Sequence, residues 1–270
     1  MPQVANANIR TTTERIRRIQ LHLKLEPDGV LGPQTLSALE DALDIESLSA
    51  QLLTRKPLGL MLTRDGVSEI VRHEIGSDAH YRRELQQPTW PGGESGVTIG
   101  IGYDLGYTSV ARFELDWTAY LGANELDQLR AVCGVKKSAA GNLIGRLQQV
   151  SISLPKARKV FRHSSLYEYA RRAQKAYPGL ERLEPDAQSA IVSLVFNRGV
   201  SMRGASRREM LNIRQLIDAC DYEGIACEIE SMKRIWEGRN LNGLLKRRDA
   251  EAAMVRGACR FYQPSDLVEL

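Results

Sequence analysis

Two carboxylates and one hydroxyl are the side chains of this sequence best placed for acid–base chemistry. Glu74 closes an amphipathic stretch that Gly76 ends, so its carboxyl stands at the exit of a predicted helix. The glycine-rich segment that follows carries Thr98 and, six residues later, Asp104. Hydrolysis of a glycosidic bond needs one carboxylic acid to protonate the leaving oxygen and a second group to direct water or to stabilise the cationic sugar. The pattern therefore predicts a site of this kind around these three side chains.

A predicted helix and a predicted hairpin must position these side chains. The helix covers residues 62–73, where apolar residues recur at helical spacing after a capping stretch at residues 63–65. The hairpin covers residues 97–103, in which β-branched residues alternate with glycine, a pattern typical of a short strand pair. Because glycine has no side chain, a substrate can approach the backbone there. The helix end and the hairpin are therefore expected to face each other across a groove.

The remainder of the chain, to about residue 262, shows mainly helical periodicity and no internal repeat. One small sheet among many helices predicts an α+β fold that is mostly helical. Further helices are predicted near residues 109–120, 123–132, 138–148, 155–162, 165–176, 185–199, 207–219, 221–232 and 241–257.

A small helical module is predicted at the N-terminus. Its two helices, from Thr12 and over residues 33–43, flank turn signals at residues 27–33. Residues 23–39 contain the string D-G-x-x-G-x-x-T-x-x-A-L and resemble the core of peptidoglycan-binding modules found beside cell-wall hydrolases. A helical hairpin that binds no ligand is the alternative. We predict three segments: this module at 9–46, a linker at 47–60 and a larger domain at 61–262.

The larger domain resembles phage-type lysozymes. In that family a glutamate closes the first helix and a T-I-G-x-G hairpin lies beside it, a pattern matched here by Glu74 and residues 96–106. The pesticin-like branch pairs a glutamate, a threonine and an aspartate, which correspond to Glu74, Thr98 and Asp104. Phage lysozymes place their aspartate before the hairpin, where this chain has Gly92, with Glu94 two residues away. The second carboxylate is therefore either Asp104 or Glu94.

Two later segments resemble the second lobe of the same family. Residues 190–199 are similar to its buried central helix, which ends in an amide near the saccharide cleft, here Asn197. Residues 243–251 are similar to its G-L-x-x-R-R-x-x-E helix, and Arg248 matches the arginine that approaches the glutamate. The resemblance implies a two-lobed, lysozyme-like fold with substrate contacts from Tyr103, Asn197 and Arg248.

The resemblance also implies an activity: hydrolysis of the β-1,4 bond between N-acetylmuramic acid and N-acetylglucosamine in peptidoglycan glycan strands. Glu74 would protonate the leaving oxygen, and Asp104 with Thr98 would orient water or stabilise the sugar cation. Either inversion or retention is open, because it depends on the separation of the carboxyl groups. A lytic transglycosylase, which needs no second carboxylate, and a non-catalytic wall-binding protein are the alternatives.

Composition excludes several other classes of protein. The formal net charge is +4 and the hydrophobic content is 43%, values typical of a globular chain rather than a disordered one. The four histidines and four cysteines show no zinc-ligand pattern, so neither a metal nor a cofactor is expected. The basic residues follow no nucleic-acid-binding motif, and no apolar run is long enough to span a membrane.

The first residues lack the pattern of a secretory signal peptide. We therefore expect a protein made in the cytoplasm that acts in the periplasm or cell wall after delivery or lysis. A phage endolysin and a delivered antibacterial effector both fit, and the second-lobe segments favour the effector. An effector would have an immunity protein or a component of a secretion machine as a partner.

Overall fold

A computed structural model gives the architecture of residues 12–42 and 55–270, in two units, Met1–Lys56 and Pro57–Leu270. The first unit contains helices α1 (Thr12–His22) and α2 (Pro33–Ala42). Gln20 joins them: its Nε2 donates to Asp28 Oδ1 at 2.6 Å and to Thr35 Oγ1 at 2.9 Å. The two predicted helices and the turn between them are confirmed. The ends of the predicted module, and residues 47–54 of the predicted linker, lie outside the described residues.

The second unit starts with a strand that pairs with the end of the chain. Strand β1 (Met61–Thr63) is antiparallel to β4 (Leu267–Glu269), so this unit extends to Leu270, beyond the 262 expected. Helix α3 (Arg64–Ile75) follows β1 directly, and Thr63 Oγ1 caps it by accepting from the Gly66 N–H at 3.1 Å. The β1–β4 sheet was not predicted from the sequence.

Helix α3 ends where the sequence predicts. Gly76 has φ 68° and its N–H donates to Arg72 O at 2.8 Å. This left-handed backbone conformation is easy for glycine and terminates the helix. Glu74 therefore lies in the last turn of α3.

The glycine-rich segment forms the predicted hairpin. Strand β2 (Thr98–Ile99) is antiparallel to β3 (Tyr103–Asp104), with Thr98 opposite Asp104 and Ile99 opposite Tyr103. Thr98 also pairs with Thr89 on its other side. Alternation places Thr98 and Asp104 on one face of the hairpin and the buried Ile99 and Tyr103 on the other.

Helices form most of the remaining unit, so the mostly helical α+β class is confirmed. The predicted helix 138–148 is a short helix followed by a 3₁₀ turn, and those predicted at 155–162 and 165–176 are joined by a π-helical turn, Phe161–Ser165. The α-helices after the hairpin are α4 (Val110–Trp117), α5 (Ala123–Arg130), α6 (Lys137–Gly141), α7 (Leu154–Val160), α8 (Leu166–Ala176), α9 (Pro185–Arg198), α10 (Arg208–Ile217), α11 (Tyr222–Ser231) and α12 (Asn242–Arg256).

Helix α9 is the centre of the core. All residues from Asp186 to Val195 are buried, as the continuous apolar run at 190–196 suggests. It packs against β1, α3, α8 and α12, so it links the helix that carries Glu74 to the last long helix of the chain. Among the described residues, no helix combines the length and apolarity needed to cross a membrane.

Candidate active site

Glu74 is held by an arginine from the last long helix. Glu74 Oε1 accepts from Arg247 Nη1 at 2.6 Å, and the two side chains are 23% and 3% exposed. The carboxyl is thus neither directed into bulk solvent nor fully buried. Because Arg247 belongs to α12 and binds one carboxyl oxygen, this helix sets the orientation of the Glu74 carboxyl group.

Arg247 is itself anchored on two helices. Its Nη2 donates to Ser193 O at 3.1 Å and to Ser193 Oγ at 3.2 Å, and its Nε donates to Glu251 Oε1 at 3.2 Å. Ser193 Oγ donates to the same Glu251 oxygen at 2.6 Å. Because α9 supplies the serine and α12 the arginine and glutamate, the core of the unit fixes the position of Glu74.

The other oxygen of Glu74 faces the hairpin. A Cβ at Gly102 would lie 3.5 Å from Glu74 Oε2 and 3.4 Å from Phe196 Cε1. Gly102 has φ 65°, a conformation that L side chains rarely adopt. Gly102 therefore allows the tight turn of the hairpin and lets the Glu74 carboxyl approach its backbone. The helix end and the hairpin face each other, as the sequence predicts.

Thr98 and Asp104 lie side by side on the half-buried face of the hairpin. The Thr98 N–H and C=O bond to Thr89, at 2.8 and 2.9 Å, rather than to β3. Thr98 and Asp104 therefore form a non-hydrogen-bonded pair, the arrangement that brings opposite side chains of an antiparallel sheet closest together. The structure thus brings the predicted hydroxyl and carboxylate together.

Backbone amides orient the Asp104 carboxylate. Asp104 Oδ1 accepts from the N–H of Gly96 at 3.0 Å and from that of Gly106 at 2.8 Å. The second of these contacts caps the 3₁₀ turn Leu105–Tyr107. Asp104 is therefore both a capping residue and a rigidly placed carboxylate beside Thr98.

Glu94, the other predicted candidate for the second carboxylate, lies on the surface. Its side chain is 75% exposed and its Oε2 is 3.1 Å from Lys137 Nζ. The nearby Trp90 braces this loop, since its Nε1 donates to Ser95 O at 3.1 Å. The geometry favours Asp104 over Glu94.

The prediction that Tyr103 contacts substrate is not supported, because this side chain is part of the core. Tyr103 is 9% exposed, stacks edge-on against Trp117 at 5.5 Å, and donates from its hydroxyl to Asp116 Oδ2 at 2.8 Å. Burial, followed by the charge of Asp116, raises the pKa of this phenol well above its usual range. Tyr103 points away from the face that carries Asp104, since side chains alternate along a strand.

The prediction that Arg248 approaches the glutamate is wrong, because the neighbouring Arg247 makes this contact. Arg247 contacts Glu74, whereas Arg248 is fully buried and its Nη2 lies 2.8 Å from Glu251 Oε2. Successive residues of a helix point about 100° apart, so only one of the two arginines can face α3. Asn197 is half-buried in the last turn of α9, and its contact with substrate stays a prediction.

Two aromatic residues that sequence reasoning missed line the space near Glu74. Tyr169 of α8 stacks on Phe196 of α9 with ring centroids 4.2 Å apart, and Phe196 lies against Gly102. Burial raises the pKa of the Tyr169 phenol, the charge of Arg172 opposes this, and the charges of Glu74 and Asp104 add to it. The charges of both carboxylates therefore act on the Tyr169 phenol.

His73 precedes Glu74 and is mostly enclosed. Its Nε2 is 3.1 Å from Glu69 Oε1 and its side chain is 16% exposed. Burial, followed by the charges of Arg247, Arg248 and Arg72, lowers the pKa of His73 to about 4. The imidazole is therefore neutral near pH 7.

A glutamate at a helix end that faces a glycine-rich hairpin, within a mostly helical unit, is the arrangement of a lysozyme-type glycoside hydrolase. Residues 122–251 match the phage lysozyme family, and residues 10–39 match the peptidoglycan binding domain family. The chain thus contains a phage lysozyme domain, which makes it a glycoside hydrolase that acts on peptidoglycan, and an N-terminal peptidoglycan-binding domain. A search of the curated proteins gave no match.

The lysozyme match covers just under half of the chain. It includes Asn197, Arg247 and Arg248, and it begins after Glu74, Thr98 and Asp104. The family and the activity class inferred from the sequence are confirmed. The roles of the individual site residues stay predictions, supported by the geometry described above.

Proposed function

We propose that this peptidoglycan hydrolase is a muramidase that cleaves the β-1,4 bond between N-acetylmuramic acid and N-acetylglucosamine, with Glu74 as the general acid. The position of Glu74 carries the proposal. Arg247 holds Oε1 at 2.6 Å, and Oε2 faces the Gly102 backbone. A sugar bound against the hairpin would therefore meet this oxygen first.

The proton moves from Glu74 to the glycosidic oxygen as the bond to the anomeric carbon breaks. Positive charge then develops on the muramic sugar ring. Asp104, fixed by two backbone amides next to Thr98, supplies the negative charge on the hairpin face. Either it stabilises the sugar cation, or it accepts a proton from the water that attacks the anomeric carbon.

Product analysis tests the bond that is cleaved. Purified sacculi would be digested with the full chain, the soluble muropeptides would be separated, and their masses would be determined by mass spectrometry. A muramidase gives muropeptides with reducing N-acetylmuramic acid ends. Reducing N-acetylglucosamine ends, anhydromuramic ends or free peptides would contradict the proposal, because they indicate a glucosaminidase, a transglycosylase or an amidase.

Early product stereochemistry tests the role of Asp104. Proton NMR of a chitooligosaccharide or muropeptide digest, recorded before mutarotation, gives the anomer that is formed first. The α anomer indicates inversion, with Asp104 as the base, and the β anomer indicates retention. Asp104→Asn should reduce turnover at least about 100-fold, whereas Glu94→Gln, the matched control, should change it less than about 2-fold.

We also propose that the enzyme acts in the periplasm or cell wall, because its substrate is there. A phage endolysin and a delivered antibacterial effector share this site of action, and the effector would require an immunity protein in the producing cell. Expression of the chain with an added export signal should lyse Gram-negative cells, while the same chain without it should not. Equal lysis by both forms would contradict dependence on delivery, and Glu74→Gln with the export signal controls for toxicity of export itself.

A further inference from the structure

A second threonine, Thr89, lies on the hairpin face that carries Thr98 and Asp104. It pairs with Thr98 as an antiparallel bridge: the Thr89 N–H donates to Thr98 O at 2.9 Å, and the Thr98 N–H donates to Thr89 O at 2.8 Å. On the other edge of β2, Thr98 lies opposite Asp104. Directly opposite residues of an antiparallel pair point their side chains to the same face. The three residues therefore form one row across three segments of chain, which we name the Thr89 row.

The neighbours of Thr89 in the chain agree with this direction. Pro88 is buried, and Trp90 packs against Gly141, where it leaves no space for a Cβ. Side chains alternate along an extended segment, so Thr89 points away from the face that these two neighbours occupy. All three members of the Thr89 row are half-buried. The row is therefore partly shielded but still open to a ligand.

Both hydroxyls of the Thr89 row are available to a ligand. Among the residues that the structure describes, no group forms a hydrogen bond with the side chain of Thr89 or of Thr98. The three other threonines of the second unit each donate to another protein group: Thr63 at 2.7 Å, Thr108 at 2.8 Å and Thr118 at 2.6 Å. The two hydroxyls of this unit that have no protein partner are thus the two that lie beside Asp104.

The chemistry of the Thr89 row matches that of a glycan. A threonine hydroxyl can both donate and accept a hydrogen bond, whereas the Asp104 carboxylate accepts only. The hydroxyl and acetamido groups of N-acetylated sugars also donate and accept along the whole strand. Neighbouring strands lie about 5 Å apart, so Thr89 extends the polar face by this distance beyond Thr98. A few polar groups placed in this way fix the orientation of a bound ligand.

We propose that Thr89 is a substrate-binding residue, whose hydroxyl forms a hydrogen bond with a hydroxyl or acetamido group of the glycan strand beside the cleaved bond. This inference rests on the proposed function, because it takes the hairpin face as the glycan site. Thr98 lies between Thr89 and Asp104, so Thr89 does not touch the reacting atoms. The same contact is made in the bound substrate and in the transition state, so its loss changes KM rather than kcat.

Steady-state kinetics of Thr89→Val test the proposal. This variant removes the hydroxyl but keeps the β-branched shape and both backbone hydrogen bonds to Thr98. With soluble, uncross-linked glycan strands as the substrate, KM should rise about 3- to 10-fold, while kcat should change less than about 2-fold. Thr89→Ser, which keeps a hydroxyl, should restore KM to within about 2-fold of the wild-type value.

Thr118→Val is the matched control, because its hydroxyl donates to Glu114 O at 2.6 Å, within a helix end. It should leave KM unchanged, whatever its own effect on stability. An unchanged KM in Thr89→Val would overturn the proposal. A rise that Thr89→Ser does not reverse would also overturn it, because the shape of the side chain would then be the cause.

Binding measured without turnover separates this proposal from the proposed function. Isothermal titration calorimetry would compare Glu74→Gln with Glu74→Gln/Thr89→Val, with the tetrasaccharide of alternating N-acetylglucosamine and N-acetylmuramic acid as the ligand. The second variant should bind about 3- to 10-fold more weakly. Equal dissociation constants would overturn the role of Thr89 even where product analysis supports a muramidase. Weaker binding would support this role even where the products indicate a different cleaved bond.

Methyl NMR gives a view that does not depend on a variant at position 89. The Glu74→Gln protein, labelled at its threonine methyl groups, would be titrated with the same tetrasaccharide. The resonances of Thr89 and Thr98 should shift together, with one dissociation constant, whereas that of Thr118 should not move. A shift of Thr98 without Thr89, or no shift of either, would overturn the proposal.

Discussion

Arg247 and Glu74 are 173 positions apart in the chain and are joined by a 2.6 Å contact between Nη1 and Oε1. This contact joins α12, the last long helix of the second unit, to the end of α3, the first helix of that unit. Since Ser193 and Glu251 also hold Arg247, the position of the proposed acid depends on the packed core rather than on a loop. Precise placement of a catalytic group on rigid elements is what acid catalysis requires.

Replacing Arg247 by lysine should impair catalysis more than folding. Arg247→Lys keeps the positive charge, but one ammonium group cannot reach Glu74, Ser193 and Glu251 together. We expect turnover on sacculi to fall about 10- to 100-fold with a small change in KM. Lys246→Arg, an exposed neighbour on α12, should leave turnover unchanged. Wild-type turnover in Arg247→Lys would show that the contact does not position the acid.

Tyr103→Phe should reduce stability without a matching loss of activity. The hydroxyl of Tyr103 is one of three donors to Asp116 Oδ2, with Arg112 and Ser164. Its removal should lower the free energy of unfolding by about 1–3 kcal/mol, measured by urea denaturation. Turnover of the folded variant should stay within about 3-fold of wild type. A large rise in KM would restore the predicted role of Tyr103 in substrate binding.

Tyr169→Phe should reduce turnover, because the charges of Glu74 and Asp104 act on the Tyr169 phenol, whereas its ring is held in place by packing on Phe196. We expect a loss of about 10-fold in kcat, with a change in the midpoint of thermal unfolding of less than about 3 °C. Tyr222→Phe is the matched control. The hydroxyl of Tyr222 accepts a hydrogen bond from the Glu184 N–H, and both residues are far in sequence from Glu74 and Asp104. Equal activities of the two variants would remove Tyr169 from the site.

Acid should destabilise the second unit through His73. Its pKa is about 4 in the folded protein against 6.5 for an ordinary histidine, so the unfolded chain binds the proton more readily. The stability associated with the neutral ring is therefore complete above pH 6.5 and is lost as the pH falls towards 4, by about 2–3 kcal/mol in total. His73→Gln should flatten the dependence of the urea midpoint between pH 7 and pH 4.5. An equal slope in wild type and variant would contradict this assignment.

Local patterns predicted most of the helices and the hairpin, because their signals are contained in short segments. Glycine after Ile75 ends α3, and β-branched residues between glycines form β2 and β3. The β1–β4 sheet could not be found in this way. Its strands are short, and they pair across about 200 residues of intervening chain.

The errors in the site came from the direction of single side chains. The choice between Arg247 and Arg248 depends on the rotation of α12 relative to α3, and the choice for Tyr103 depends on which hairpin face is buried. Neither is encoded in residue type or spacing. Phe196 and Tyr169 were missed for a related reason: an aromatic residue that lines a cleft has the same pattern as one in the core.

Release of soluble muropeptides by wild type and by Glu74→Gln tests the central claim most directly. The variant keeps the size of the side chain and a hydrogen-bond acceptor for Arg247, but it has no proton of suitable acidity for the leaving oxygen. With circular dichroism and urea midpoints showing a folded protein, release should fall at least about 1,000-fold, and Glu84→Gln, an exposed control, should match wild type. A folded Glu74→Gln protein that keeps more than a few per cent of wild-type release would contradict the assignment of Glu74 as the acid.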